Sequence, residues 1–290
     1  MERLRAKPAA QIIGDGRMDR IVYNGTLAEG WPEGISPDEL LSAPYLYQRI
    51  HTFAHRPLHA EAHIAILSRA LRDMHGIEWT LPVGRLEREV AELLAANRFP
   101  MRSNCVTLRL FPTGIGAAGD GPDYLIEATA QLFYPPYTLW HKRLSVDVFR
   151  CDVPFGAYPT ALSLLAARWG REAAERGGAD TAVLETREGV LTHIDGEPLF
   201  AVFGRQVMAT PTAYGTPDTV MRKTILAACR AQGLTVAEYP LSRQLLERCD
   251  EAFTASVQGI VSILRYRSRH YFNTTAVKLS ERLRRENPPR

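Results

Sequence analysis

Apolar and polar positions alternate along this chain with two distinct periods. Residues 171–211 show the layout best. Ala166, Ala167, Ala173 and Ala174 recur at helical spacing until Gly177-Gly178 stops the helix. Four short apolar runs follow, Thr181–Leu184, Val190–His193, Leu199–Phe203 and Gln206–Ala209, with Arg187-Glu188-Gly189 and Gly204-Arg205 as tight turns. The spacing therefore predicts a helix followed by hairpin strands.

The same reading runs through the rest of the sequence. Residues 1–18 are polar and irregular, and Arg20–Leu27 reads as a strand with Asn24-Gly25 as a turn signal. Prolines break 31–44, and Tyr45–Phe53 is the next strand. Ala60–Met74 is amphipathic, and Val83–Asn97 carries Leu86, Val90, Leu93 and Leu94 on one face. Strands are predicted over Cys105–Phe111, Asp123–Phe133 and Ser145–Arg150, and a helix over Ala161–Arg176. Residues 216–234 form a helix with Asp218 or Thr219 as N-cap. Thr235–Tyr239 is a strand, Ser242–Glu247 a short helix, Glu251–Leu264 strands and Ala276–Arg285 the last helix. Pro154, Gly156 and Pro159 discourage regular structure, so the chain divides into 1–134, a linker with a first strand at 135–158, and 159–290.

Composition narrows the function classes. The 290 residues suffice for two domains, and 46% hydrophobic with 23% charged residues is ordinary for a globular protein. A net charge of +3 gives no argument for nucleic acid. No apolar run is long enough to span a bilayer and no signal peptide opens the chain, so a cytoplasmic location is expected. Cys105, Cys151, Cys229 and Cys249 are too scattered for a metal site and read as separate thiols. Signatures of serine hydrolases, P-loops, zinc peptidases and dinucleotide-binding folds are missing. Only four lysines occur: Lys7, Lys142, Lys223 and Lys278.

The stretch GGADTAVLETREGVLTH…PLFAVFGRQVMATP resembles the second half of the class IV aminotransferases, whose pattern runs G-A-D-E-A-L-L-L-D-x-x-G-x-V-T-E, S-N-x-F-x-V-x-x-G, T-P. YLYQRIHTFAHRPLHAEAHIAILSRAL resembles the first half, with His63 on the motif histidine and Tyr47-Gln48 in place of Phe-Glu. The resemblance implies an α/β fold of two domains, fold type IV of the pyridoxal-phosphate enzymes, with a cleft between the domains. It also implies a homodimer, for which the glycine-rich turn Gly114–Gly121 is the available reaching loop.

The residues that hold the cofactor in that family are replaced one after another. Counting back from Gly178-Ala179-Asp180 puts the Schiff-base lysine at or beside Thr160, and Lys142 lies 18 residues too early. Ile66 stands where the phosphate arginine belongs. His193 replaces the glutamate that faces the pyridine nitrogen; it could accept that proton or be a satisfied buried histidine. Asp218-Thr219-Val220-Met221 replaces the G-I-T-R cup, placing a carboxylate where a phosphate dianion would sit. Asp250-Glu251-Ala252-Phe253 keeps its motif, but after Ser256 the last hydroxyl is lost at Val257.

No pyridoxal phosphate and no metal are therefore expected, and no catalytic residue is assigned. An unidentified small molecule is the expected partner, without nucleic acid or membrane. Candidate cleft residues are Tyr47, Arg49, His51, Arg109, Tyr158, Thr160, His193, Thr219 and Ser256, although Arg49 and Arg109 read equally well as solvent-facing strand charges. Two other readings stand beside this one: an aminotransferase or lyase using a displaced Lys142, and a dimeric scaffold without catalysis.

Overall fold

The computed structural model describes residues 20–30, 43–115 and 121–287. The expectations for 1–18, most of the 31–44 loop and most of the Gly114–Gly121 turn fall outside them.

Two sheets organise the chain. The first is wholly antiparallel and contains β1 (Arg20–Tyr23), β2 (Thr26–Glu29), β3 (Leu46–Phe53), β4 (Arg56–Pro57), β5 (Asn104–Phe111) and β6 (Asp123–Gln131). Their order is β2-β1-β6-β5-β3-β4. The segment 20–27 is a hairpin, because Asn24 (φ 47°) and Gly25 (φ 87°) adopt the left-handed turn that matches strand twist. Helices α1 (Ala60–His75) and α2 (Val83–Ala96) cover one face, burying Ile64, Leu67, Leu71, Leu86, Val90 and Leu93 against Leu46, Ile50 and Val106. Gly76 ends α1 in the left-handed region and returns its N–H to the Arg72 carbonyl.

The second sheet is mixed. It contains β7 (Leu144–Arg150), β8 (Thr181–Glu185), β9 (Leu191–Ile194), β10 (Glu197–Phe203), β11 (Gln206–Ala209), β12 (Thr235–Glu238), β13 (Glu251–Ser256), β14 (Gly259–Tyr266) and β15 (Arg269–His270). The strands β10-β13-β14-β7-β8-β9 close into a ring, since β9 pairs back with β10. Val146, Val183, Leu199, Ala201, Ile263 and Tyr266 belong to one buried cluster of this ring. Around it lie α3 (Ala161–Arg176), α4 (Val220–Ala231), the short α5 (Arg243–Arg248) and α6 (Thr274–Glu286). Helix α4 begins at Val220, where Thr219, one of the two expected caps, accepts from Arg222 N–H at 3.0 Å; the segment 216–219 ahead of it is not helical. No helix among the described residues is long and apolar enough to cross a membrane.

Backbone hydrogen bonds join the first sheet to the head of α3 and fasten the crossing segment to the second sheet. Leu46 of β3 forms an isolated bridge with Thr160, supported by Tyr47 N–H to Pro159 C=O at 3.1 Å and Ala161 N–H to Tyr45 C=O at 3.0 Å. The crossing segment is pinned to β14, with Ile260 N–H on the Thr138 carbonyl and Trp140 N–H on the Ile260 carbonyl, both at 2.9 Å.

Gly259 makes that second contact possible. Its φ is +116°, and a Cβ there would lie 2.1 Å from the Thr138 carbonyl oxygen. Gly259→Ala is expected to cost about 3 kcal/mol or more, since strain and a backbone clash combine. Gly178→Ala (φ +82°, nothing within 4 Å) is expected to cost about 1 kcal/mol. Urea denaturation of both variants checks the ranking.

Candidate functional site

A cleft with about 580 Å³ of empty space, part of it open to solvent, lies where the two sheets face each other. Strand β3 supplies its floor. Side chains two apart share a strand face, so Tyr47, Arg49 and His51 point together away from the core-facing Leu46 and Ile50. Opposite β3 stands the β9–β10 hairpin. Ile194 pairs with Glu197 across the two-residue loop Asp195-Gly196, with φ values of 52° and 83°. Gly196 is forced by proximity as well as by φ, because a Cβ there would come within 3.1 Å of the Tyr47 hydroxyl.

The hairpin delivers Glu197 into the cavity. Its Oε1 accepts a 3.1 Å hydrogen bond from Arg49 Nη2, which also reaches the Asp195 carbonyl at 3.3 Å. Burial, opposed chiefly by the charge of Arg49, pushes the Glu197 carboxyl up to about 7. Three imidazoles complete the polar lining. His51 Nδ1–H donates to the Val257 carbonyl at 2.7 Å, and His63 Nδ1–H donates to Gln48 Oε1 at 2.7 Å. His59 Nε2 lies 2.5 Å from the Tyr137 hydroxyl. Burial lowers all three, His63 to about 3, so each is neutral near pH 7. Thr219, Val220 and Met221 at the start of α4 close one side, with Ser256 and Val257 beside them.

Of the nine candidate residues, Tyr47, Arg49, His51, Thr219 and Ser256 line this cavity, and four do not. Arg109 is drawn off by Glu127 on the neighbouring strand, at 2.7 Å, and sits over the Tyr45 ring. Tyr158 donates its hydroxyl to Asp73. Thr160 is the N-cap of α3 in a reciprocal capping box: its Oγ1 accepts from Ser163 N–H at 3.2 Å and its N–H donates to Ser163 Oγ at 2.9 Å. His193 lines a separate depression with Thr212, Tyr214 and Asp152, and burial holds its imidazole down at about 4. Arg49 is an ion-pair partner within the cleft, against the solvent-facing alternative.

Two further positions need physical correction. Asp218 does not present a bare charge at the head of α4. Arg69 and Lys223 both bind its carboxylate, so its repulsion of an anion is largely offset. Lys142 pairs with Asp180 at 2.7 Å, is 68% exposed and does not line the cavity. No lysine lines the cavity among the described residues, and no cluster of metal-ligating side chains occurs among them. The sequence reading missed Glu197, His59 and Tyr137. An Asp-Gly pair between two apolar runs is a strong hairpin signal, and it alone could have put Glu197 at a hairpin tip.

The ion pair generates a pH prediction. An unpaired Glu197 would be closed in and would take up a proton, whereas Arg49 is partly exposed. In Arg49→Met the folded-state pKa of Glu197 rises further above its unfolded value. Folded protein then binds more protons than unfolded protein above about pH 4.5, and stability falls as pH rises through that window. The variant is expected to lose about 1 kcal/mol at pH 5 and about 3 kcal/mol at pH 8. Equal losses in urea denaturation at the two pH values would contradict the burial argument.

Residues 46–266 match the family described as amino-transferase class IV. Solved structures with the same fold include branched-chain aminotransferase from the archaeon Thermoproteus uzoniensis, with norvaline, at 20% identity and TM-score 0.77, covering 93% of this chain and 94% of that one. Branched-chain aminotransferase from Escherichia coli is 17% identical, covers 92% and 93%, and has TM-score 0.75. A 4-amino-4-deoxychorismate lyase assignment from Legionella pneumophila, itself provisional, is 15% identical over 91% and 98%, with TM-score 0.74. No curated protein sequence matches. At these identities the structures establish the fold alone, while the family match spans most of the chain: this protein belongs to the class IV aminotransferase family, whose cofactor is pyridoxal phosphate.

Proposed function

We propose that this chain is a class IV aminotransferase fold that does not use pyridoxal phosphate, and that its inter-sheet cavity binds or acts on another small molecule. The observation that carries the reading is that, among the described residues, no lysine lines either the inter-sheet cavity or the depression at His193. Transamination on pyridoxal phosphate needs a lysine amine to hold the aldehyde and move a proton. At the family's lysine position, Thr160 spends its hydroxyl on capping α3, and threonine supplies no amine. Ile66, at the phosphate arginine's position, is buried and apolar. The residues present do not fit the group.

The displaced-lysine reading has no support from position, because Lys142 sits in an exposed pair with Asp180. A purely structural scaffold is disfavoured by the number of polar atoms left without partners around the cavity. We propose also that the chain pairs with a second copy. Leu162, Leu165 and Trp169 recur along the outer face of α3 and are 53%, 42% and 54% exposed, a stripe that association would cover.

Two experiments test these readings. Protein mixed with pyridoxal phosphate, reduced with borohydride and digested is expected to yield no stoichiometric pyridoxyl-lysine, in wild type or in Thr160→Lys. A stoichiometric adduct on Lys142 would overturn the main reading in favour of the displaced lysine. Light scattering at micromolar concentration is expected to give twice the chain mass, and a monomer would refute the pairing.

A further inference from the structure

Among the described residues, two charged side chains line the inter-sheet cleft, Arg49 from the first sheet and Glu197 from the second. Their pairing is incomplete. One nitrogen, Arg49 Nη2, serves both Glu197 Oε1 at 3.1 Å and the Asp195 carbonyl at 3.3 Å. The Arg49 side chain keeps 27% of its surface exposed, against 10% for Glu197. The cation is therefore the more accessible member of the pair.

The two charges also differ in what they can give up. A guanidinium keeps its proton at any physiological pH, whereas a carboxylate becomes neutral by taking one up. The pair can pass from zero net charge to +1, and never to −1. An entering cation would meet Arg49 with no group able to lose positive charge. An entering anion can take over Arg49 while Glu197 is protonated. Burial makes that exchange cheap, because the Glu197 carboxyl is pushed up to about 7 in spite of Arg49 and the Thr219 hydroxyl. Near neutral pH about half of the chains already hold Arg49 without its counter-charge, a costly state that an anion relieves.

The surroundings of the pair fix the charge of the ligand at one. Burial raises Tyr47 on the same strand to about 12 and Cys105 on β5 to about 11, so both stay neutral. It lowers His51, His59 and His63, which are neutral near pH 7. Asp195 is matched by Arg171, Glu127 by Arg109, and Asp218 by Arg69 and Lys223. One positive charge is thus available, and a dianion would leave a surplus. Leu58, Met221 and Val257 supply an apolar wall for an organic body.

We propose that the cleft binds a small organic acid carrying a single negative charge, which takes Arg49 from Glu197 while Glu197 takes up one proton from water. The assignment deepens the reading that the cleft serves a molecule other than pyridoxal phosphate, and rests on it.

Four probes built on one ring separate charge from shape: benzoate, benzamide, benzamidinium and phenyl phosphate. Calorimetric titration is to use protein shown by borohydride reduction to carry no pyridoxyl-lysine, so failure of the parent reading is seen first and separately. At pH 7 benzoate is expected to bind at one per chain, at least tenfold tighter than the other three. Titrations in two buffers of different ionisation heat are expected to show uptake of about 0.5 proton per benzoate at pH 7 and about 0.9 at pH 8. Benzoate affinity is expected to fall about tenfold from pH 8 to pH 9. Glu197→Gln keeps that side chain neutral, and is expected to bind benzoate about tenfold tighter than wild type at pH 8, without proton uptake. Arg49→Met is expected to lose the preference for benzoate over benzamide, with circular dichroism confirming the fold. If either variant does not fold, the probe ranking and the proton count in wild type still decide. Tighter binding of any other probe, no saturable binding, no proton uptake in wild type, or uptake retained in Glu197→Gln would overturn the assignment.

Discussion

One carboxylate governs the centre of this molecule. Glu197 sits at the tip of a hairpin in the second sheet and meets Arg49 on a strand of the first. Each half of the chain supplies one charge, and neither half could bury its own alone. Burial without full compensation explains why the carboxyl is pushed up to about 7. The two-residue turn Asp195-Gly196 sets this geometry, since any side chain on Gly196 would crowd the Tyr47 hydroxyl.

Around this pair, the positions that carry cofactor chemistry in the family have structural work instead. Thr160 caps a helix with Ser163, Ile66 is a fully buried apolar residue of α1, and Asp218 ties the head of α4 to α1 through Arg69. These are accommodated substitutions, each with its partner in place. An uncompensated Asp218 would repel an anion by several kcal/mol at short range; clamped between two cations it is mainly a fastening between α1 and the head of α4. A Schiff base is therefore opposed by the missing amine rather than by the charge of Asp218.

Much of the fold was legible because its signals are local. The apolar faces of α1 and α2, the glycine stops and the Asn24-Gly25 turn fix their elements within a few residues. The family pattern added the larger arrangement. The site was only partly legible, since its membership depends on where strands cross. Tyr47 and Arg109 pair directly between β3 and β5, yet Arg109 is captured by Glu127 while Tyr47 reaches the hairpin tip. His193 and Glu197 lie four residues apart but serve different spaces, because the hairpin turns between them. No periodicity distinguishes such outcomes.

Glu197 is a buried carboxylate with one partial counter-charge, and its own titration is the most direct measurement of that state. Carboxyl-carbon NMR of glutamate-labelled protein, with the resonance assigned by its loss in Glu197→Gln, follows that single group with pH. A midpoint near 7 is the predicted result. A midpoint in the ordinary glutamate range, about 4.3, would show that water or a stronger pairing solvates Glu197, and would contradict its burial between the two sheets.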